Sequence, residues 1–437
     1  MTKNLLNTLL AGLLTLAACQ PKKTNINVEP LVLHETMQQL TDIIVHDLFS
    51  PPVASRVYIY PSIAAYEVMV HSDSSYVSLA GQLKGFRGVP KPKKNIDYEV
   101  AAIQSFINVG RTLIFSEDKF EEHQTNFINS VREKGLDEEV LNNSLGYAKI
   151  VSNAILEWSD GDNYKESRTF QKFDIIDEVD RWQPTPPGYF EAIEPHWSAM
   201  RTFVIDSADQ FAPERPTKFD MSENSDFYKE VMEVYNVGNG LNEEQKEIAS
   251  FWDCNPFVIN VHGHAMFATK KITPGGHWVN IARIACEKDE SSLMKSTATY
   301  ALTSLALADG FISCWDEKYR SNLIRPETVI NKYIDPEWYP LLQTPPFPEY
   351  TSGHSVISGA AGVALTSIFG EAFSFEDDSE MVYGLPMRKF DSFTAASDEA
   401  AISRLYGGIH YMPAINNGVN QGREMGRYLI SKIKMRK

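Results

Sequence analysis

The sequence predicts an all-α protein, and three observations carry that expectation. Apolar residues recur at close to a 3.6-residue period through several long stretches. Two further stretches are small and apolar on nearly every side, which suits helices buried in a bundle. Period-2 alternation, which a half-buried strand needs, never runs beyond a few residues.

Taken in order, Ala64, Ala65 and Val68 mark one face of a helix from Ser62 to Val70. From Val100, the positions Ile103, Phe106, Ile107, Leu113 and Ile114 continue the helical spacing. From Leu141 it is Leu145, Ala148, Val151, Ile155 and Trp158. Asn242 followed by Glu243 and Glu244 reads as a helix start, with acidic residues at the positive end of the dipole. Residues 296–313 and 355–369 are the two apolar stretches. In the second, Ser355, Ser358, Gly359, Ala360, Ala361 and Gly362 allow another helix to approach closely. Proline-rich breaks fall at Pro51-Pro52 and at 89–94, 184–188, 213–216 and 345–348. Residues 160–220 carry prolines and aromatics but little period, and read as a long ordered connection between two helical halves.

The chain has 437 residues, 43% of them hydrophobic and 22% charged, enough for a large buried core. A net charge of −16 argues against nucleic acid or anionic lipid as partner, and makes any local basic cluster conspicuous. The N-terminus reads as a targeting segment. Lys3 precedes an apolar run, Leu5 to Ala18, that is too short to span a bilayer. It ends Leu16-Ala17-Ala18-Cys19, which resembles a bacterial lipobox and implies cleavage before Cys19 and lipid on its sulfur. The expected organisation is a signal peptide over 1–18, a lipidated tether over 19–35, an N-terminal helical region over 36–240 and a C-terminal catalytic region over 241–437. Cys254, Cys286 and Cys314 cannot all pair, show no CxxC spacing, and read as buried small hydrophobes. His262-Gly-His264 offers only two ligands and reads as structural, with His277 shaping a pocket mouth.

Three short segments bear chemistry: Lys318 to Arg325-Pro326, Ser352-Gly353-His354, and Ser403-Arg404 to His410. Together they supply three cations, a hydroxyl, a glycine N–H at a helix start and two imidazoles, a set that suits a tetrahedral oxyanion. Lys318 and Arg325 are seven residues apart and are expected on one helix face, with Arg325 near its C-terminal end. Arg404 and His410 are six apart, so Gly407-Gly408 must bend the chain for both to reach one point.

In this order and spacing the segments resemble the vanadium-dependent haloperoxidases and the related type 2 phosphatidic acid phosphatases. Trp182 to Pro187, Glu194 to Trp197, Phe251 to Asp253 and Pro274 to Trp278 extend the likeness to the bacterial iodoperoxidases of Bacteroidetes. Thr351 departs from the family's Pro-Ser-Gly-His motif. The resemblance implies two packed helical bundles and vanadate as cofactor. Lys318, Arg325 and Arg404 would neutralise its oxygens, Ser352 and the Gly353 N–H would add hydrogen bonds, and His410 would ligate vanadium. His354 would move a proton from hydrogen peroxide and Lys318 would polarise one of its oxygens for attack by halide. Trp315 and Phe347 would line the halide side. Iodide is the expected halide, with bromide next and an organic halogen acceptor downstream. In many relatives a carboxylate four residues after the histidine could orient it; here that position is Ala414, so a backbone carbonyl is expected instead. The rival readings are a phosphomonoesterase, with His410 as nucleophile and His354 as general acid, and a non-catalytic oxyanion-binding envelope lipoprotein.

Overall fold

The computed structural model describes residues 23–437 except 257, 263, 264 and 269, with backbone alone for 259–262 and 265–268. Cys19 and the targeting segment lie outside the described residues, as does His264. The architecture is helical, as expected. The N-terminal region holds α1 (Pro30–His46), α2 (Pro51–Met69), α3 (Tyr98–Leu113), α4 (Glu117–Glu133), α5 (Glu138–Asp160) and the short α6 (Tyr164–Ser167). After the long connection come α7 (Asp226–Asn239), α8 (Glu243–Phe251), α9 (Pro274–Lys288), α10 (Leu293–Ser321) and α11 (Pro326–Tyr333). The chain closes with α12 (Gly353–Phe369), α13 (Phe393–Tyr406) and α14 (Met412–Lys432).

Local chemistry explains where these helices start. Asp97, Asp137, Ser225, Thr273, Ser292 and Ser392 each accept a hydrogen bond from a first-turn N–H. Asn242 and Gln245 form a reciprocal capping box at α8. The Pro51-Pro52 pair corrects one expectation: it opens α2 instead of breaking the chain. Proline at the first helical position forfeits an N–H that would be unpaired anyway.

Two antiparallel hairpins interrupt the all-helical pattern. β1 (Ile259–His262) pairs with β2 (Ala265–Ala268), with Ile259 opposite Ala268. β3 (Phe375–Asp377) pairs with β4 (Arg388–Phe390), with Phe375 opposite Phe390. Strands of three or four residues are too short to show a period.

The packed chain begins inside the segment expected as a tether. Ile26 and Val28 are buried, and their N–H groups donate to Asp97 Oδ2 (2.9 Å) and Glu99 Oε2 (2.7 Å). One apolar core runs from Ile26 through Leu33, Phe311 and Trp315 to Leu429, so it crosses residue 240. α7 lies before that position yet buries Phe227, Val231 and Val234 against Leu323, Val329, Trp338 and Tyr411. No helix among the described residues is long and apolar enough to cross a membrane.

α10 runs through this core between α2 and α12. α12 in turn packs along α14, where Gly418, Gly422 and Gly426 recur every four residues. A Cβ on Gly422 would meet the Val356 carbonyl oxygen at 2.0 Å. The backbones touch there, and that contact fixes the N-terminus of α12, which carries the expected site.

Candidate active site

The three segments converge, but not all as expected. Lys318 lies on α10, which stops at Ser321 because Asn322 adopts a left-handed conformation (φ 49°). Arg325 is therefore not on the helix of Lys318. It is the extended residue before α11, whose first position is Pro326. The turn between the two helices brings both cations to one place, in the way a single face was expected to. Arg325 is fully buried, with Nε and Nη1 engaged. Nε donates to the Phe347 carbonyl (2.9 Å), and Nη1 to the Ile409 carbonyl (2.8 Å) and His410 Nε2 (3.2 Å). Nη2 has no partner within the protein.

Ser352 caps α12, its hydroxyl accepting from the Ser355 N–H (3.3 Å). Gly353 and His354 form the first turn, where backbone N–H groups and the helix dipole favour an anion. His354 Nε2 is buried and without a protein partner. Thr351, where the motif has proline, donates its hydroxyl to Gln421 Oε1 (2.8 Å) and so ties the loop to α14.

Arg404 lies in the last turn of α13, and Gly408 (φ 76°) bends the chain after it, as the glycine pair predicted. The Arg404 Nη2 donates to the Trp252 carbonyl (2.8 Å), and Nε to Ser403 Oγ (2.9 Å). His354, Gly353, Arg404, His410 and Cys254 line a common cavity of about 40 Å³, room for a few waters or one small oxyanion.

The group that orients His410 is not a backbone carbonyl. It is the carboxylate of Glu349, whose Oε1 accepts from His410 Nδ1 (2.7 Å) and from the Tyr411 N–H (3.0 Å). Sequence reasoning looked four residues after the histidine, where relatives can carry an acid, and found Ala414. Glu349 comes instead from 61 residues earlier, in the loop before Ser352. A lone acid in that apolar loop was the available signal. The network also fixes the tautomer. Arg325 Nη1 can only donate, so His410 Nε2 must be the acceptor, and the proton sits on Nδ1 facing Glu349. The one lone pair of Nε2 thus accepts from Arg325, and a ligand would take it by displacing that N–H.

Burial governs the charge states. It pushes both His354 and His410 well below the usual imidazole range, helped by Arg404 for the first and Arg325 for the second. Both rings are neutral near pH 7. Arg325 is lowered by burial to about 10 and stays charged. Burial raises Glu349 to about 8, opposed by Arg325 and Lys318. Its Oε1 accepts in either protonation state, because Oε2 is free of partners. Burial lowers Lys318 to about 7. Lys318 Nζ donates to the carbonyls of Pro348 (3.1 Å), Glu349 (3.1 Å) and Thr351 (2.5 Å). All three ammonium donors are engaged, so direct contact with an oxyanion requires Lys318 to exchange one carbonyl.

Trp315 and Phe347 pack with ring centroids 5.0 Å apart and planes tilted by 51° on the cavity wall, and the indole N–H donates to the Ile193 carbonyl (3.2 Å). With its one polar atom spent, Trp315 offers only apolar surface. Cys254, Cys286 and Cys314 are buried and free, as expected. His277 does not shape a pocket mouth: it is fully buried between Asp377 and Cys254. His262 is described only as backbone in β1.

Comparison with known proteins matches this architecture. A family model described as the second helical-bundle domain of VCPO matches residues 332–436. A crystal structure described as the first bacterial vanadium-dependent iodoperoxidase superposes with a TM-score of 0.90. It is 50% identical over 94% of this chain and 98% of that one. The chain belongs to the vanadium-dependent haloperoxidases. A holo-type bacterial vanadium-dependent chloroperoxidase shares the fold, with a TM-score of 0.69 and 16% identity over 88% of this chain and 93% of that one. No curated protein sequence matches. Haloperoxidase chemistry requires vanadate, halide and hydrogen peroxide, and the residues present fit that cofactor. Two neutral imidazoles, the Arg404 guanidinium and the N-terminus of α12 line one small cavity, where an oxyanion would meet charge and hydrogen-bond donors.

Proposed function

We propose that the protein oxidises iodide with hydrogen peroxide, using vanadate held by His410, Arg325, Arg404, Ser352 and the Gly353 N–H. The observation that carries the assignment is His410, which lines the cavity with Nδ1–H held by Glu349 and with Nε2 an acceptor that Arg325 now occupies and a ligand can claim. Bound vanadate supplies a Lewis-acidic centre that activates peroxide without changing oxidation state. The chain's own residues do the rest. His410 Nε2 would hold the vanadate. Arg325 and Arg404 neutralise the oxyanion in a pocket where burial strengthens each interaction. Lys318 exchanges a carbonyl for an oxyanion oxygen and draws electron density from it. His354, neutral and with Nε2 unspent, takes a proton from peroxide at that atom and returns it to the departing hydroxide.

Iodide is supported by the iodoperoxidase at 50% identity and by the apolar wall of Trp315 and Phe347, which suits a large, weakly hydrated anion. Bromide is the slower second substrate. The Leu16-Ala17-Ala18-Cys19 sequence supports lipidation at Cys19 and attachment to the bacterial envelope. Cys19→Ser in the producing cell would release the protein into the soluble fraction.

The test is one assay on purified protein before and after orthovanadate loading, following triiodide formation beside hydrolysis of a chromogenic phosphate ester. Vanadate-dependent iodide oxidation without ester hydrolysis supports the proposal. Ester hydrolysis blocked by vanadate, with no iodide oxidation, overturns it.

A further inference from the structure

A second cluster of ligand-type side chains lies beside the cavity, built from three distant segments. Cys254 Sγ stands 3.3 Å from His277 Nδ1 and 3.9 Å from Glu380 Oε1. His277 Nδ1 is 3.5 Å from Glu380 Oε1. Zinc bonds of roughly 2.0–2.3 Å in tetrahedral array set donor atoms about 3.3–3.6 Å apart. The three observed edges lie within a few tenths of that range. The outer shell is also formed. His277 Nε2–H donates to Asp377 Oδ2 (2.8 Å), so Nδ1 is the ring nitrogen that faces the cluster. Asp377 is itself held by the Ser379 N–H (3.0 Å) and hydroxyl (2.5 Å). Carboxylate, imidazole and metal in line is how ligating histidines are oriented.

Charge points the same way. Cys254, His277 and Glu380 are at most 1% exposed, and Glu380 Oε2 has no partner within the protein. Two carboxylates and a thiol surround one imidazole, whose Nε2 bonds Asp377 and whose Nδ1 faces Cys254 and Glu380. Burial alone would lower this histidine, yet Asp377 and Cys254 hold it well above the usual imidazole range, so a cation entering the cluster would replace the Nδ1 proton. A buried carboxylate oxygen without a donor is costly. A divalent cation would balance the group.

We propose that Cys254, His277 Nδ1 and Glu380 form a binding site for a zinc-like divalent cation, separate from the vanadate site. Binding displaces the Cys254 thiol proton, with the His277 Nδ1 proton, to solvent and leaves the sulfur as thiolate. Three protein ligands leave a fourth position open, and Cys254 lines the cavity through which the ion would enter. Trp252, two residues before Cys254, gives its carbonyl to Arg404 and stacks on His277 at 4.5 Å. The ion would therefore brace the segment that also holds an oxyanion-site arginine.

The proposal stands apart from the vanadate assignment and is tested without turnover. Metal-free full-length protein is titrated with zinc alone, passed through gel filtration with a weak chelator, and its zinc counted. About one equivalent should remain, and Cys254→Ser and His277→Gln should lose it. Cobalt loading should give a thiolate-to-metal charge-transfer band that Cys254→Ser lacks. Asp377→Asn, which keeps the shape of the cluster, should weaken zinc binding roughly 10–100-fold while circular dichroism shows native helix. Zinc well below one equivalent in the native protein overturns the site. So does equal retention by folded Cys254→Ser and Asp377→Asn, or a cobalt spectrum without the sulfur band.

Discussion

Two buried ionic clusters, one in each half of the chain, are built from similar residues and end differently. Around α2, Asp162 receives Arg56 Nε at 2.6 Å, the Tyr60 hydroxyl at 2.8 Å and the Tyr164 N–H at 2.9 Å. Arg201 joins the group through Tyr60 (3.0 Å) and lays its guanidinium over Trp158, with its Nε left unpartnered but, among the described residues, no cavity lined by the cluster's acid. Both oxygens of the acid are spent inside the cluster. Around His410, Arg325 Nη2, Glu349 Oε2 and His354 Nε2 are left without protein partners, and His354 and His410 line a cavity. Burial alone does not mark a functional site. Charge that closes on itself holds the fold, whereas charge left open toward a space can bind something.

Substitutions can break this contrast. The largest expected effect is His410→Ala, which removes the imidazole that would hold vanadate but keeps both arginines. Vanadate-dependent iodide oxidation should fall at least about 1,000-fold, and vanadate affinity should fall beyond the roughly 10–100-fold typical of an orienting partner. Native activity with native vanadate affinity in His410→Ala would remove the basis of the assignment.

Arg56→Ala should do the reverse. Leaving Asp162 buried and uncompensated should cost about 3–5 kcal/mol of stability, read by chemical denaturation. The folded fraction should keep its kcat. A fall in kcat at unchanged stability would show that the first cluster is not merely structural.

Glu349→Gln tests the orienting group. Vanadate should bind about 10–100-fold more weakly, since the amide can present a donor in place of the acceptor that orients the ring. Affinity, read by equilibrium dialysis, should change more than thermal stability.

The smallest effect concerns pH. Burial lowers Lys318 to about 7, so it loses its charge as pH rises through that value and stops contributing to oxyanion binding. Vanadate affinity should therefore weaken above pH 7, by up to about tenfold per pH unit for one proton. Lys318→Met should bind more weakly at pH 6 and lose that dependence. An equal slope in the variant would assign the titration to another group.

Much of this was legible in the sequence. The helical faces at 100–114 and 141–158 appear because amphipathic packing writes a period into the chain. The three oxyanion segments appear because cations, glycine and histidine at fixed spacings are rare together. Asn322 was not recognised as a helix stop, since a left-handed residue needs no special neighbour to be one, and so Arg325 was placed on the wrong helix. Glu349 and the Cys254, His277 and Glu380 group were missed for another reason. Their partners lie 61 and up to 126 residues apart, and only the folded chain brings them together. The short hairpins left no pattern to read.

The glycine ladder between α12 and α14 sets a tolerance for the whole catalytic centre. Three hydrogens, at Gly418, Gly422 and Gly426, stand where side chains would meet Ser352, Val356 and Ala360 backbone atoms at 2.0–3.1 Å. A single methyl at Gly422 would wedge the two helices apart and swing the turn that carries Ser352 to His354. The dimensions of the oxyanion cavity are thus governed by the spacing of two helices along their length as well as by the residues that line it.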